Sequence, residues 1–538
     1  MPLLQARWKI YKVTPDGNAL YLNKDFQLQL NYYLTSITEK LALVSKPGLF
    51  RLLNFSAWLS AGINLLITFG QKFNLPKMKP AFSFYKLTAI SLFILILAIP
   101  SRLTAQTADS IPNQPENDKK EIKTGLNFGA LPAVAFDADL GFQYGLLGNL
   151  FQYGDGSTYP DYRWSLYGEW SRTTRGSGVN QLFFDSKYLL PHQIRITADF
   201  SFLTEGALNF YGFNGYESVY NPAFEDDSDP DYISRMFYRH ERKLTRITTD
   251  FQGKINDLPL RWLAGYGYFN VAIAPVDIDK LNKGKDEEDK LPEVDGLYDK
   301  YVNWGIIPEK EADGGTHHFI KTGLVYDTRD NEPNPQKGLW SEVVLMTAPR
   351  FMGNSETAYT KLAITHRQYF TLKQDVLTFA YRIGWQGTID GHTPFYMQPY
   401  MVNTFTRTTK NDGLGGSRSL RGILRNRIVG EDFAYGNFEF RWKFRKVYRW
   451  KQNFYYSLNL FTDMGTITRK MDVNLDSVPE GENYADYFTN KSPGLHSSYG
   501  AGLRIAMNQN FILAFDYGFA GDKRDGNSGL YINLGFMF

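Results

Sequence analysis

From Leu126 to Phe538 apolar and polar residues alternate with a period of two, and Gly, Pro, Asn and Asp break the alternation at strand-length intervals. Successive side chains of an extended chain point to opposite faces, so each alternating segment predicts a strand with one greasy side. The first such segments run from Pro132 to Asp137, Gly141 to Gln152, Arg163 to Thr173, Asn180 to Leu189 and Gln193 to Leu203. Longer ones follow at Ile233 to Ile255 and Leu258 to Ile273, then His318 to Tyr326, Leu339 to Ala348, Ala358 to Thr371, Val376 to Gly387 and Asp432 to Val447. Phe454 to Thr466, Ser498 to Ala506, Phe511 to Gly518 and Gly529 to Phe538 complete the set. About sixteen strands, an even number, predict an all-β fold, a closed antiparallel barrel.

The connections sort by parity. Thr204 to Tyr232, Ala274 to His317, Thr388 to Glu431 and Ile467 to Ser497 are long and follow odd-numbered strands; Pro191-His192, Leu372 to Asp375 and Asn508 to Asn510 are short and follow even-numbered ones. Bacterial outer-membrane barrels have short periplasmic turns and long outer loops, which orients the chain with its first strand starting at the periplasm. Two strands show which face is which. In Phe438-Glu439-Phe440-Arg441-Trp442-Lys443-Phe444 one face is aromatic and the other charged, and in the last segment Leu530, Ile532, Leu534, Phe536 and Phe538 alternate with Tyr531, Asn533, Gly535 and Met537. Aromatics toward lipid and charges toward a wet lumen fit a transmembrane barrel; an amphipathic sheet over a soluble core is the alternative, and it would leave charges in a dry interior.

Composition sharpens this reading. Aromatic residues make up 16% of the chain, with Tyr 35 and Phe 40, as interfacial girdles require. A net charge of +3 speaks against a nucleic-acid partner, and the absence of cysteine removes disulfides, thiolate catalysis and Cys-ligated metals together. Met78-Lys79-Pro80 and Lys86, the apolar run Leu87 to Ile99 and the small residues of Leu103-Thr104-Ala105 read as a signal peptide over 78–105, cleaved after Ala105. Residues 1–77 read as an upstream extension of the gene, with a genuine leader as the alternative, and 106–125 as a flexible lead-in to the barrel of 126–538.

Among the connections, Leu414-Gly415-Gly416-Ser417-Arg418-Ser419-Leu420-Arg421-Gly422 is Gly-rich and has no strand period, so it predicts a loop carrying a cation at its tip. Phe461-Thr462-Asp463-Met464-Gly465 puts a carboxylate in a strand whose other face is Leu458, Leu460 and Thr462. Arg421 paired with Asp463, and with Glu439 beside Arg441, would hold the loop inside the barrel; a solvated Arg on a flexible tip is the duller alternative. Tyr326-Asp327-Thr328-Arg329-Asp330-Asn331, with Pro335 and Gly338, predicts a tight turn, since Asp and Asn bond their own backbone.

These pieces resemble the BamA/TamA superfamily of outer-membrane assembly and translocation proteins, also called the bacterial surface antigen family. Leu420-Arg421-Gly422 is similar to the apolar-Arg-Gly-aromatic tip of that family's sixth outer loop, with Ile423 in place of the aromatic residue. Phe461 to Gly465 resembles its F-x-D-x-G strand, Glu439 and Arg441 its E-x-R strand, and Asp327, Arg329, Asp330, Asn331, Pro335 and Gly338 its D-x-R-D-N…P…G periplasmic turn. The ending with Leu534, Phe536 and Phe538 looks like the carboxy-terminal signal that the assembly machinery reads. The resemblance implies a barrel plugged by its sixth loop that inserts or translocates protein or lipid through a weak seam between first and last strands. Gly529 and Gly535 are compatible with a loose last strand. Members of the family carry periplasmic POTRA repeats, for which Gln106 to Leu126 leaves no room, so the resemblance is to a barrel-only branch.

An enzyme is not expected. No G-x-S-x-G, phosphate loop or zinc pattern is present. His496-Ser497-Ser498 supplies two groups of an outer-membrane phospholipase, but neighbours in a strand face opposite ways. His317-His318 closes the acidic Asp277 to Asp313 segment, which reads as a solvated loop. No cofactor or metal is expected. The expected partners are outer-membrane lipid, client outer-membrane proteins and a separate periplasmic protein in place of the repeats. The alternative is a passive barrel: a channel, surface receptor or structural partner without insertase activity.

Overall fold

The computed structural model describes residues 123–538 apart from 138–139, 160, 355–356, 405–411, 450–451 and 508–510. The predicted extension, signal peptide and nearly all of the lead-in lie outside the described residues. The strands are β1 (Leu126–Asp137), β2 (Gly141–Gln152), β3 (Trp164–Thr173), β4 (Ser177–Ser186), β5 (Arg195–Asn209), β6 (Arg239–Lys254), β7 (Leu260–Ala274) and β8 (Gly314–Asp327). They continue with β9 (Gly338–Ala348), β10 (Tyr359–Lys373), β11 (Leu377–Gly391), β12 (Asp432–Arg449), β13 (Gln452–Arg469), β14 (Leu495–Met507), β15 (Phe511–Ala520) and β16 (Ser528–Leu534). Each pairs antiparallel with its sequence neighbours, and β16 returns to β1 to close a sixteen-stranded barrel.

The period-two pattern decides which side of the wall each residue takes. On β12, Phe440 and Trp442 are each 48% exposed on the outer face, whereas Asn437, Glu439 and Arg441, which alternate with the outward residues, are buried inside. Closure is uneven. β1 follows β2 from Leu126–Gln152 to Asp137–Gly141, but among the described residues it meets β16 only at Phe136–Ile532 and Asp137–Tyr531.

Inside, the charged residues are not bathed in water as expected; they are buried against one another. Arg246 Nε lies 2.8 Å from Asp199 and Lys321 Nζ lies 2.7 Å from Asp250, all four side chains being almost wholly buried. Such burial is tolerated because each charge faces an opposite charge and a hydrogen-bond partner.

The loops that follow β5, β7, β11 and β13 converge on a shared aromatic core. Phe210, Tyr211, Phe213, Phe237 and Tyr238 meet Tyr298, Tyr301 and Trp304, Phe395 and Tyr400, and Tyr487 and Phe488. The segment Asp277 to Asp313 is therefore only half a solvated loop: Ile278–Asn282 is an exposed helix, but Leu297–Asn303 is a helix that buries Leu297, Tyr298 and Tyr301. The same core explains why β6 starts at Arg239 and not at Ile233, since Phe237 and Tyr238 leave the wall to pack with the loops.

Other bounds shift for local reasons. β4 ends at Ser186 because Lys187 to Ile194, with Pro191, forms the turn into β5. The last strand ends at Leu534 where an alternation to Phe538 was expected. Gly535 takes φ +79°, the chain turns inward, and Phe536 and Phe538 are buried in the barrel while Leu534 stays exposed. Two forces hold them there. Arg441 stacks its guanidinium 4.1 Å from the Phe536 ring, and its Nη2 donates to the Phe538 carbonyl at 3.1 Å.

Candidate functional site

The loop between β11 and β12 enters the barrel, and its tip is set by glycine. Gly422 has φ +92°, and a Cβ there would come within 2.6 Å of the backbone of Gly518 on β15, so only glycine lets the tip lie flat against the wall. On the other side, a Cβ on Gly465 of β13 would meet Leu420 at 2.9 Å. The tip is further fixed by the Gly422 N–H, which donates to the Tyr531 hydroxyl of β16 at 3.2 Å. Ile423, in place of an aromatic residue, is fully buried with Leu414, Leu420, Ile428 and Phe433.

Arg421 then reaches four partners from one position. Its backbone N–H and Nε donate to Asp463 Oδ2 at 3.0 and 2.9 Å, and Nη2 donates to Asp463 Oδ1 at 3.0 Å. Nη1 donates to Glu439 Oε1 at 2.7 Å and lies 3.6 Å from Asp516 of β15. The guanidinium carbon sits 3.5 Å from the centre of the Phe461 ring. A planar guanidinium matches this fork of carboxylates where a lysine ammonium would not. Glu439 is shared, since Arg441 Nε donates to its other oxygen at 2.8 Å.

Residues the motifs do not name complete the network. Asn437 donates to Asp463 at 2.9 Å and to the Ser419 carbonyl, and Arg382 of β11 holds Asn437 at 2.8 Å and the Arg418 carbonyl at 3.0 Å. Arg504 of β14 pairs with Asp516 at 2.8 Å. Asp516 and Arg504 stand at inward positions of alternating strands, so the period-two pattern itself could have found them.

The same loop is pinned at two further places. Arg425 and Arg242 of β6 share Glu205 and Asp412 at 2.6 to 3.2 Å, a square of two cations and two anions. Arg427 donates to the carbonyls of Arg524, Gly215 and Ser218 at 2.8, 3.0 and 3.0 Å, which ties the loop to those after β15 and β5. Glu205 and Arg242 stand at inward positions of β5 and β6, but Arg425, Asp412 and the partners of Arg427 lie on loops without period, so neither contact carries a signal in the sequence.

The turn between β8 and β9 closes on itself. Asp327 takes the Arg329 N–H and guanidinium, Asp330 takes the amides of Gln336 and Lys337, and Asn331 takes that of Asn334. Gly338 has φ +93°, Pro335 is buried, and Arg329 lies 4.2 Å over Trp340. A bond from Arg195 to Glu332 at 3.3 Å joins the turn to β5. The structure thus keeps this turn apart from Arg421, whereas the inward-turned Phe536 and Phe538 meet the lock through Arg441, through Arg504 over Phe536 at 5.6 Å and through Arg382 over Phe538 at 5.4 Å. His496 is occupied by other partners: Nδ1 lies 2.7 Å from Asp525, Nε2 lies 3.0 Å from the Pro493 carbonyl, and the ring stacks on Tyr216. Neither nitrogen faces a serine hydroxyl.

No curated protein matches the chain. Among solved structures, the chain is similar to a BamA from Haemophilus ducreyi lacking POTRA domains 1–3, at 13% identity and TM-score 0.45, over 77% of this chain and 71% of that one. It is also similar to CdiB from Escherichia coli, at 11% identity and TM-score 0.45, over 79% and 64%, and to CdiB from Acinetobacter baumannii, at 14% and 0.39, over 77% and 60%. The Omp85 superfamily domain matches residues 239–538, more than half of the chain, and the protein belongs to the Omp85 superfamily of bacterial outer-membrane β-barrels.

Proposed function

We propose that this barrel acts in outer-membrane biogenesis, inserting or translocating protein or lipid clients through its wall at the β1–β16 junction. The observation that carries the reading is the contrast between a fastened interior and a lightly fastened seam. Arg421 and its fully buried carboxylates hold the loop across the lumen, and the aromatic core fills the mouth above it. By contrast, β1 and β16 share two residue pairs among the described residues. A path along the axis would have to break a dry charge network, which costs several kcal/mol per uncompensated ion, whereas opening the seam breaks a few backbone hydrogen bonds of about 1 kcal/mol each.

This contrast argues against a passive channel, whose interior must stay open. Clients and a separate periplasmic protein that delivers them remain part of the proposal. The test is reconstitution: the protein in liposomes should speed the folding of an added outer-membrane barrel over empty liposomes. Equal rates would sink the insertase reading and leave a structural barrel.

A further inference from the structure

Two bulges at the short-turn end of the barrel change which face of the wall carries charge. On β12, Phe438, Phe440, Trp442 and Phe444 point outward and Asn437, Glu439, Arg441 and Lys443 inward. Lys443 pairs with Ser457, but Arg445 pairs with Tyr456, so Phe444 is one residue too many and the parity of the strand flips after it. Arg445 and Arg449, which unbroken alternation would send into the lumen, stand on the outer face with Tyr456. On β10 the device recurs. Thr371 pairs with Thr378 but Lys373 with Leu377, so Leu372 is the extra residue and Lys373 joins Phe370 and Leu372 outside.

The two hairpins bring these cations together. Leu377 of β11 pairs with Lys373 on one side and with Trp442 on the other, which places Lys373 and Trp442 about two strand spacings, roughly 10 Å, apart, with Arg445 two ladder positions beyond Trp442. Directly above lies a band of rings: Phe379 and Phe440 at 4.9 Å, Trp442 and Phe444 at 5.8 Å, Phe444 and Tyr456 at 6.4 Å. Arg445 and Lys373 are exposed, and the nearby Asp375 is engaged by Lys446 at 3.8 Å.

Aromatic rings on the outer face of a membrane barrel mark the level where hydrocarbon gives way to headgroups. Lys373 and Arg445 directly follow Leu372 and Phe444 on this face, at the depth of lipid phosphates, and Arg449 stands four residues beyond Arg445 toward the rim on the same face; an arginine fork fits a phosphate with two hydrogen bonds. We propose that Lys373, Arg445 and Arg449 form a site for the phosphate of an anionic phospholipid in the leaflet at the short-turn rim. The lipid is favoured over an acidic protein because the patch continues the hydrocarbon-facing surface without a break. The site rests on the barrel's seat in a membrane and not on insertase activity.

Trp442 is a probe built into the patch. The full chain is reconstituted in phosphatidylcholine vesicles containing, at one mole fraction, either brominated phosphatidylcholine or brominated phosphatidylglycerol, and the Trp442 emission is taken as the difference from W442F. The phosphatidylglycerol should quench it several-fold more strongly, and K373Q/R445Q/R449Q, read in W442 and W442F backgrounds, should bring the two lipids to equality. The single variants K373Q and R445Q, each expected to lose part of the preference, serve if the triple variant does not fold. Equal quenching in the unaltered protein overturns the site, as does a preference that survives all the substitutions. Equal quenching together with capture of an acidic periplasmic protein by the same cations overturns it in favour of that partner. No quenching by either lipid overturns the membrane seat and the site with it.

Discussion

Arg421 illustrates how a single side chain fastens a loop when every partner is buried. The guanidinium faces Asp463 in a two-pronged bond, Glu439 through a third nitrogen, and a phenyl ring beneath. Water cannot take over when one member is removed, so Arg421→Ala should destabilise the barrel by roughly 3–5 kcal/mol, the cost of leaving opposed carboxylates unpaired. Asp463→Ala should cost a similar amount, and the double variant much less than the sum, with a coupling of about 2 kcal/mol or more. Urea unfolding followed by heat-modifiable gel mobility reads all three; additive losses would refute direct pairing. Gly422→Ala tests the backbone alone. With φ +92° and Gly518 only 2.6 Å from the new Cβ, the tip must lift off β15, and a loss of about 1–3 kcal/mol is expected with every charge intact. A stability equal to wild type would show that the tip is free to shift.

At the scale of elements, the cap is held by contacts between loops, one of which responds to pH. Glu311, in the short helix Glu309–Ala312, accepts from the Phe395 amide at 3.0 Å, and its other oxygen lies 2.7 Å from His392 Nε2. That hydrogen bond raises the His392 pKa above the ordinary histidine value, against the effect of partial burial. A raised folded-state pKa means that the folded cap binds the proton more tightly. The stabilisation is therefore complete below the ordinary value near 6.5 and is lost as pH rises through the raised one. Hydrogen exchange of the Phe395 amide, corrected for intrinsic rate, should show protection falling over that window in the wild type and flat in His392→Gln; identical profiles would remove His392 from the account. The strands are readable from sequence because one wall face meets lipid and the other does not, which writes a period of two into residues such as Phe440 and Glu439. The lock is readable because Arg421, Asp463 and Glu439 fall in short motifs. The cap is not readable. Phe210, Tyr301 and Phe395 follow no period, and contacts such as Arg427 to Gly215 join loops about 200 residues apart. The inward turn after Gly535 escapes for a related reason: alternation predicts an outward Phe536, and only the facing Arg441 reveals why the ring is drawn inside.

For the whole molecule, the question is whether the wall opens, and the uneven closure of the barrel makes that testable. Fourteen of the strands have both edges filled by a long ladder, while β1 and β16 have one edge each that is nearly idle. Unpaired strand edges template pairing with another chain, so the idle edges are where a client strand would add. The chain has no cysteine, which makes disulfide trapping clean. Phe136→Cys with Ile532→Cys, a facing pair across the seam, should abolish client folding in liposomes when oxidised and restore it on reduction. Val343→Cys with Ile364→Cys, a facing pair between β9 and β10, serves as the control and should leave the rate unchanged in either state. Both variants stay sixteen-stranded, so a difference between them isolates motion at the seam from stiffness of the barrel. Full activity with the seam sealed would mean that clients do not pass the β1–β16 edge, whatever else the barrel does.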